Sequence, residues 1–235
     1  MKLLVVNPNT SAAMTEKIGL CARRFAAPGT EIVCRNPATG PESIEGHYDE
    51  AIATPGLLAE VRRGEAEGID ATVVACFDDP AIGACREVTS GPVIGICEAA
   101  MHAASLVSSS FSVVTTLPRA IPIVEDLALR YGMERHCRRV RAADIPVLAL
   151  EEPGSAARDR VRAEIERAIV EDRCEAVILG CAGMVDLVEW LARETGIPVI
   201  DGVVAGVKFA EALVGAGLRT SKIGSYAPPR PKHVA

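Results

Sequence analysis

The sequence predicts an α/β fold of two similar halves, each a mainly parallel sheet covered by helices. Short apolar runs alternate with longer stretches in which apolar residues recur three and four positions apart, a pattern typical of repeated strand–helix–strand units. Aromatic residues make up only 3% of the chain, so the core must consist of aliphatic side chains, as in helix-covered parallel sheets. Three segments also recur in the same order 105 to 108 positions later, which predicts an internal duplication.

The predicted strands are the short apolar runs. They cover residues 3–6, 31–34, 71–75, 93–96, 112–115, 176–180 and 198–200. Residues 56–67 and 156–171 have the apolar spacing of amphipathic helices. The proline-rich stretch 226–235 is predicted to be irregular.

The internal repeat relates two cysteines. "GIDATVVAC", which ends at Cys76, aligns with "RCEAVILGC", which ends at Cys181. "GPVIG" at 91–95 aligns with "IPVID" at 197–201, and "LLVVNPNT" near the start of the chain is echoed by "FSVVTTLP" at 111–118. Each half therefore has a first strand that ends in a polar turn and a later strand that ends in cysteine.

Two domains follow from this repeat. We expect residues 1–107 together with 201–235 to form the first half, and residues 108–200 to form the second. Ligands of open α/β sheets bind at the carboxyl ends of the strands. We therefore expect Cys76 and Cys181 on opposite sides of a cleft between the halves.

Charge and composition exclude several classes of function. The net charge of −6 argues against binding to nucleic acid or to an anionic membrane. The N-terminal apolar run is interrupted at Asn7 and Pro8, too early for a signal peptide, and no run is long enough to span a bilayer, so we expect a cytoplasmic protein. The eight cysteines form no CxxC pair and the four histidines do not cluster with them, which argues against a metal site.

The two repeat cysteines have the surroundings of reactive thiols. After Cys76, Asp79 and Pro80 fit the N-cap and first position of a helix, and Cys181 precedes the helical stretch 185–194. A helix N-terminus favours the thiolate form. Two thiols on opposite faces of one carbon suit cofactor-independent racemisation, because one can remove a proton while the other delivers one.

Six motifs then carry a family resemblance: "NPNTS", "ACFDDPA", "GPVIGICEAA", "VTTLPR", "LGCAGM" and "GIPVIDGV". Together they resemble the aspartate/glutamate/hydantoin racemase superfamily, hydantoin racemases most and allantoin racemases next. The resemblance extends from Lys2 to about Pro231. It implies catalytic cysteines at Cys76 and Cys181, two similar domains around a cleft, no metal or pyridoxal cofactor, and a homo-oligomer that acts on a small molecule.

For a 5-monosubstituted hydantoin, removal of the C5 proton gives an enolate with negative charge on the C4 oxygen. Backbone amides at a helix N-terminus can stabilise this oxygen, and hydroxyls or amides can bind the ring. The predicted substrate-binding residues are Asn7, Asn9, Phe77, Asp78, Thr115, Thr116, Ala182 and Gly183.

Several of these residues also have structural explanations. Asn9 or Thr10 could cap the helix that follows, Asn7 could shape the turn, and Phe77 could pack in the core. Asp78 would raise the pKa of the neighbouring thiol, so we expect its carboxylate to point elsewhere or to bind polar backbone.

The sequence leaves other functions open. They are an allantoin racemase, a non-catalytic metabolite-binding module, and a different reaction on the same scaffold, such as decarboxylation or cis–trans isomerisation. The group at C5, the cysteine that acts on each enantiomer and the size of the oligomer are not determined.

Overall fold

The computed structural model describes residues 1–152 and 156–231. Its strands are β1 (Lys2–Val6), β2 (Glu31–Arg35), β3 (Ala71–Val74), β4 (Val93–Gly95), β5 (Phe111–Thr115), β6 (Cys137–Ala142), β7 (Ala176–Gly180) and β8 (Val199–Asp201). Its α-helices are α1 (Ala12–Phe25), α2 (His47–Ala66), α3 (Ile82–Val88), α4 (Ile96–Val107), α5 (Ile121–Arg130), α6 (Ala157–Arg167), α7 (Val188–Thr195) and α8 (Gly202–Gly215). Short 3₁₀ helices lie at Pro118–Ala120, Val147–Glu151, Ala182–Leu187 and Gly224–Tyr226, and a π-helical turn at Ala168–Asp172.

The strands form two four-stranded parallel sheets with matching topology. Their orders are β2-β1-β3-β4 and β6-β5-β7-β8. The inner strands β1, β3, β5 and β7 are almost entirely buried, which explains why they are continuous apolar runs in the sequence. The predicted fold class is confirmed.

Helix α1 follows the first strand, and its residue Met14 lines the cavity described below. Met14, Ile18 and Ala22 on one face are buried in the main core. The helix begins after Ser11, whose hydroxyl accepts a hydrogen bond from the backbone N–H of Met14 at 3.2 Å. The residue that caps α1 is therefore Ser11, and neither Asn9 nor Thr10.

Helix α8 returns to the first sheet. It packs against α1, α4 and β3, and a Cβ on Gly206 would lie only 2.8 Å from the Val73 side chain. Beyond α8, the Thr220 hydroxyl donates to the carbonyl of Gly91 at 2.6 Å. These contacts support the assignment of the C-terminal segment to the first half, and the domain boundaries stay a prediction. Residues 227–231 have no regular structure, and the rest of the predicted irregular tail lies outside the described residues.

Strand β6 was missed because its sequence, "CRRVRA", reads as a solvated basic run. Arg138 and Arg139 are exposed at the sheet edge, whereas Arg141 is 4% exposed. Its guanidinium bonds the carboxylates of Asp172 and Glu171 at 2.6 and 2.7 Å, so the buried charge is neutralised. An edge strand was thus hidden by a buried ion pair.

Helix α2 begins at His47, well before the predicted start at residue 56, and Pro55 lies inside it. The prediction rested on apolar spacing, which is clear only after Pro55, a residue that usually interrupts a helix. Within the described residues, no helix combines the length and apolar character needed to cross a membrane.

Candidate active site

The carboxyl ends of β1, β3, β5 and β7 surround one cavity of about 30 Å³. Of the residues predicted from sequence, Cys76, Cys181, Asn7, Asn9, Phe77, Asp78, Thr115, Thr116 and Ala182 line it. Gly183 does not; it is buried behind the cavity, where its carbonyl accepts a hydrogen bond from Lys17 at 3.3 Å. Both cysteines are partly exposed, and neither is in a disulfide. The two sheets thus present their equivalent cysteines to the same narrow space.

Cys76 lies in an irregular loop, not at a helix N-terminus. Helix α3 begins only at Ile82, after Ala81 in a left-handed conformation, so the predicted activation of this thiol by a helix is wrong. Burial raises the pKa of Cys76 well above its usual value, and the Asp78 carboxylate raises it further. The backbone N–H of Asp78 donates to the sulfur and opposes this rise.

Cys181 occupies the N-cap position of the 3₁₀ helix Ala182–Leu187, which continues directly into α7. The expected helix start is therefore present beside this thiol. As the first helical residue, Ala182 has a backbone N–H without an intrahelical partner. The two halves thus share a fold but surround their cysteines differently.

Asp79 was predicted to cap the helix that follows it, α3, but it caps α4 instead. Its carboxylate accepts hydrogen bonds from the backbone N–H groups of Cys97 and Glu98 at 3.1 and 2.9 Å. The N-cap residue of α4 is Gly95, which has no side chain, so a distant aspartate satisfies the free amides. Burial raises the pKa of Asp79 to about 7, and these hydrogen bonds oppose the rise.

The two asparagines after β1 have different roles. The Asn7 side chain is 1% exposed and donates to Asn9 Oδ1 at 2.7 Å and to Thr15 Oγ1 at 3.0 Å. Its donors are therefore used inside the turn. Asn9 Oδ1 also accepts from the Ser11 N–H, while its amide nitrogen reaches only the weakly accepting sulfur of Met14, at 3.4 Å. Asn9 can thus donate to a ligand, and Asn7 holds Asn9 in place.

Thr115 and Thr116 also have different roles, because only one of their hydroxyls is hydrogen-bonded within the protein. The Thr115 hydroxyl donates to the Gly180 carbonyl at 3.1 Å and links the ends of β5 and β7. The Thr116 hydroxyl forms no hydrogen bond with any described residue and faces the same cavity. Thr116 is the threonine with a hydroxyl available to substrate.

Sequence reasoning missed an apolar part of the lining, formed by Met14, Ile44, Ala120 and Val147. Ile44 is 8% exposed and comes from the loop before α2. The next residue, Glu45, accepts a hydrogen bond from the Val147 N–H at 2.9 Å, which joins this loop to the second sheet's half. The signal in the sequence was a single apolar residue in the polar stretch "GPESIEGH".

Asp78 is one of the residues that line the cavity. Burial raises its pKa to about 6, and the nearby carboxylate of Glu50 raises it further, while His47 lowers it. Near neutral pH Asp78 is therefore mainly ionised and opposes formation of the Cys76 thiolate.

The variant Asp78→Asn is expected to lower the pKa of Cys76, because it removes a negative charge beside the sulfur. The fraction of Cys76 that is ionised at pH 7 should therefore rise, by about tenfold for each unit by which the pKa falls. The rate of alkylation of Cys76 between pH 6 and 9, followed by mass spectrometry, would measure the shift. Asp49→Asn is the control, since Asp49 lies near Asp78 but outside the cavity. An unchanged pH profile for Asp78→Asn would contradict this account.

A metal centre has no support in the part of the chain that the structure describes, where no group of three or more histidine, cysteine, aspartate or glutamate side chains is placed to hold an ion.

The family model for Asp/Glu/Hydantoin racemase matches residues 3–210. The chain belongs to this racemase family. It is therefore an isomerase, and the cavity between its sheets is the candidate active site.

Known relatives of this racemase cover its whole length. It is 54% identical to a hydantoin racemase of Rhizobium meliloti, with 100% of this chain and 98% of the relative aligned. It is 47% identical to a hydantoin racemase of Pseudomonas sp. strain NS671, with 99% and 93% aligned. Among solved structures, the allantoin racemase from Klebsiella pneumoniae has a TM-score of 0.98 and 51% identity, with 100% of this chain and 96% of that chain covered.

Proposed function

We propose that the racemase interconverts the enantiomers of 5-monosubstituted hydantoins, with Cys76 and Cys181 as the two acid–base groups. The observation that carries this proposal is the placement of both thiols at equivalent strand ends around one cavity. The hydantoin racemases at 54% and 47% identity support the substrate class.

The reaction uses one thiolate and one thiol. The thiolate removes the C5 proton from one face of the ring, and the electron pair moves into the C4 carbonyl to form an enolate. The opposite thiol then delivers its proton to the other face, so the two sulfurs exchange protonation states. Ionisation of one thiol at a time is favoured, because a thiolate at Cys181 raises the pKa of Cys76.

Backbone amides stabilise the enolate oxygen in this proposal. Among the described residues, none accepts a hydrogen bond from the Phe77 N–H, and the Ala182 N–H is the free first amide of its helix. The Thr116 hydroxyl and the Asn9 amide are further partners for the polar ring atoms. Phe77 is only 3% exposed, so its side chain also belongs to the core and contributes an apolar surface.

Allantoin racemisation is the second candidate. Allantoin is a hydantoin with a ureido group at C5, and the solved allantoin racemase at 51% identity favours it. The lining favours apolar substituents instead, because Ile44, Val147 and Ala120 offer no side-chain hydrogen bonds to a ureido group.

A panel of substrates tests both candidates. Loss of optical rotation would be followed for single enantiomers of isopropyl-, benzyl- and methylthioethyl-hydantoin and for allantoin. We expect racemisation of the alkyl and aryl compounds, with allantoin slower. Faster racemisation of allantoin would support the second candidate. Binding without loss of rotation, and without deuterium uptake in D₂O, would indicate a binding module and contradict both candidates. Assembly into a homo-oligomer and a cytoplasmic location stay predictions.

A further inference from the structure

Asp79 follows the candidate base Cys76 but does not line the cavity. Its side chain is 3% exposed. Besides the two amides of α4, the carboxylate accepts a hydrogen bond from the Tyr131 hydroxyl at 2.8 Å. Tyr131 directly follows α5, a helix of the predicted second half. One buried carboxylate therefore joins the segment after Cys76 to helices from both halves.

The backbone of Asp79 is hydrogen-bonded to the backbone of Cys76, so the position of one residue affects that of the other. The Asp79 N–H donates to the Cys76 carbonyl at 3.1 Å. Asp79 and Ala81 both have left-handed conformations, with φ of 45° and 53°, and Pro80 between them disfavours such a conformation in the residue before it. Backbone of this kind persists only where its surroundings hold it. Here the contacts of the Asp79 carboxylate hold it.

We propose that Asp79 is a positioning residue which, through Tyr131, fixes Cys76 relative to Cys181 across the cleft. The proposal rests on the two-base function proposed above. Cys181 directly follows β7, which lies in the same sheet as β5, the strand that leads into α5 and Tyr131. Inversion requires both sulfurs to reach one carbon, and a shift of about 1 Å in such a geometry can reduce a rate by about 100-fold.

The variant Tyr131→Phe removes the hydrogen bond from the second half to Asp79 and leaves both amide contacts of Asp79. We expect inversion to slow by about three- to tenfold, the usual effect of one lost hydrogen bond. The carbanion then persists longer, so the proton on the first thiol exchanges with solvent before protonation on the opposite face. In D₂O, deuterium should accumulate in the unconverted enantiomer, and the ratio of exchange to inversion should rise by a similar factor.

The variant Asp79→Asn places an NH₂ group against N–H and O–H donors. Inversion should therefore slow more than in Tyr131→Phe, by about 10- to 100-fold. Asp201→Asn is the matched control. Asp201 is also buried, at 5% exposed, and caps α8 by accepting from the Val204 N–H at 2.7 Å. It does not contact the Cys76 segment, so its ratio of exchange to inversion should equal that of the wild type.

The decisive measurement is this ratio, by proton NMR and optical rotation on the same samples. If Asp79→Asn does not fold, Tyr131→Phe alone decides. A wild-type ratio in Tyr131→Phe, and in Asp79→Asn where it folds, would overturn the positioning role while leaving the two-base mechanism intact. A wild-type enzyme that does not racemise any hydantoin of the panel would overturn the proposed function and, with it, this inference.

Discussion

Replacement of either Cys76 or Cys181 by alanine is expected to reduce racemisation of both enantiomers by about 10²- to 10⁴-fold, the usual contribution of a positioned acid or base. Each direction of the reaction needs both thiols, one to remove the proton and one to supply it. Racemisation followed by optical rotation, from each pure enantiomer, would measure the loss.

The same variants should retain a one-sided reaction. Cys76→Ala leaves Cys181 able to remove the C5 proton from the enantiomer that presents it to that face, and Cys181→Ala does the reverse. In D₂O each variant should therefore exchange the proton of one enantiomer, a different one for each variant, without inverting it. Full racemisation by either variant would contradict the two-base mechanism.

Cys21→Ala is the control for these variants. Cys21 is also a partly exposed free thiol, but it faces a separate cavity between α1 and α7. Its replacement should leave racemisation at the wild-type rate, which would show that loss of a thiol alone does not inactivate the enzyme.

Gly95→Ala should lower the free energy of unfolding by about 3 kcal/mol. A Cβ on Gly95 would lie 2.3 Å from Cγ and 2.4 Å from both carboxylate oxygens of Asp79. The carboxylate would have to move, and the first amides of α4 would lose their partner. Racemisation should fall as well, because Asp79 holds the segment that carries Cys76.

Denaturant unfolding with Gly83→Ala as the control would test this prediction. Gly83 lies in α3, and a Cβ there would meet no atom within 4 Å. In a helix, alanine is more stable than glycine by up to about 1 kcal/mol, so Gly83→Ala should be as stable as the wild type or slightly more so. Equal unfolding midpoints for Gly95→Ala and the wild type would show that the Asp79 carboxylate is not confined as described.

The correct predictions of strands and of the paired cysteines rested on sequence patterns that are local or repeated in the chain. The buried inner strands read as apolar runs because both of their faces are covered, and seven of the eight strands within the described residues could be placed in this way. The duplication was visible because equivalent strands keep equivalent residues, and it paired Cys76 with Cys181. The strand with a buried arginine, β6, could not be predicted, because the carboxylates that neutralise Arg141 lie about 30 positions later.

The sequence by itself determined the α/β class, the two matching halves and the two thiols at equivalent strand ends, because strand burial and internal repetition are written in residue order. Only the tertiary structure decided which groups surround those thiols. It placed Ile44 and Val147 in the lining, gave Cys181 but not Cys76 a helix start, and directed Asp79 to α4 and Tyr131. These contacts join residues that are distant in the chain, and a hydrogen bond or a burial penalty depends on distance in space, which local sequence patterns do not encode.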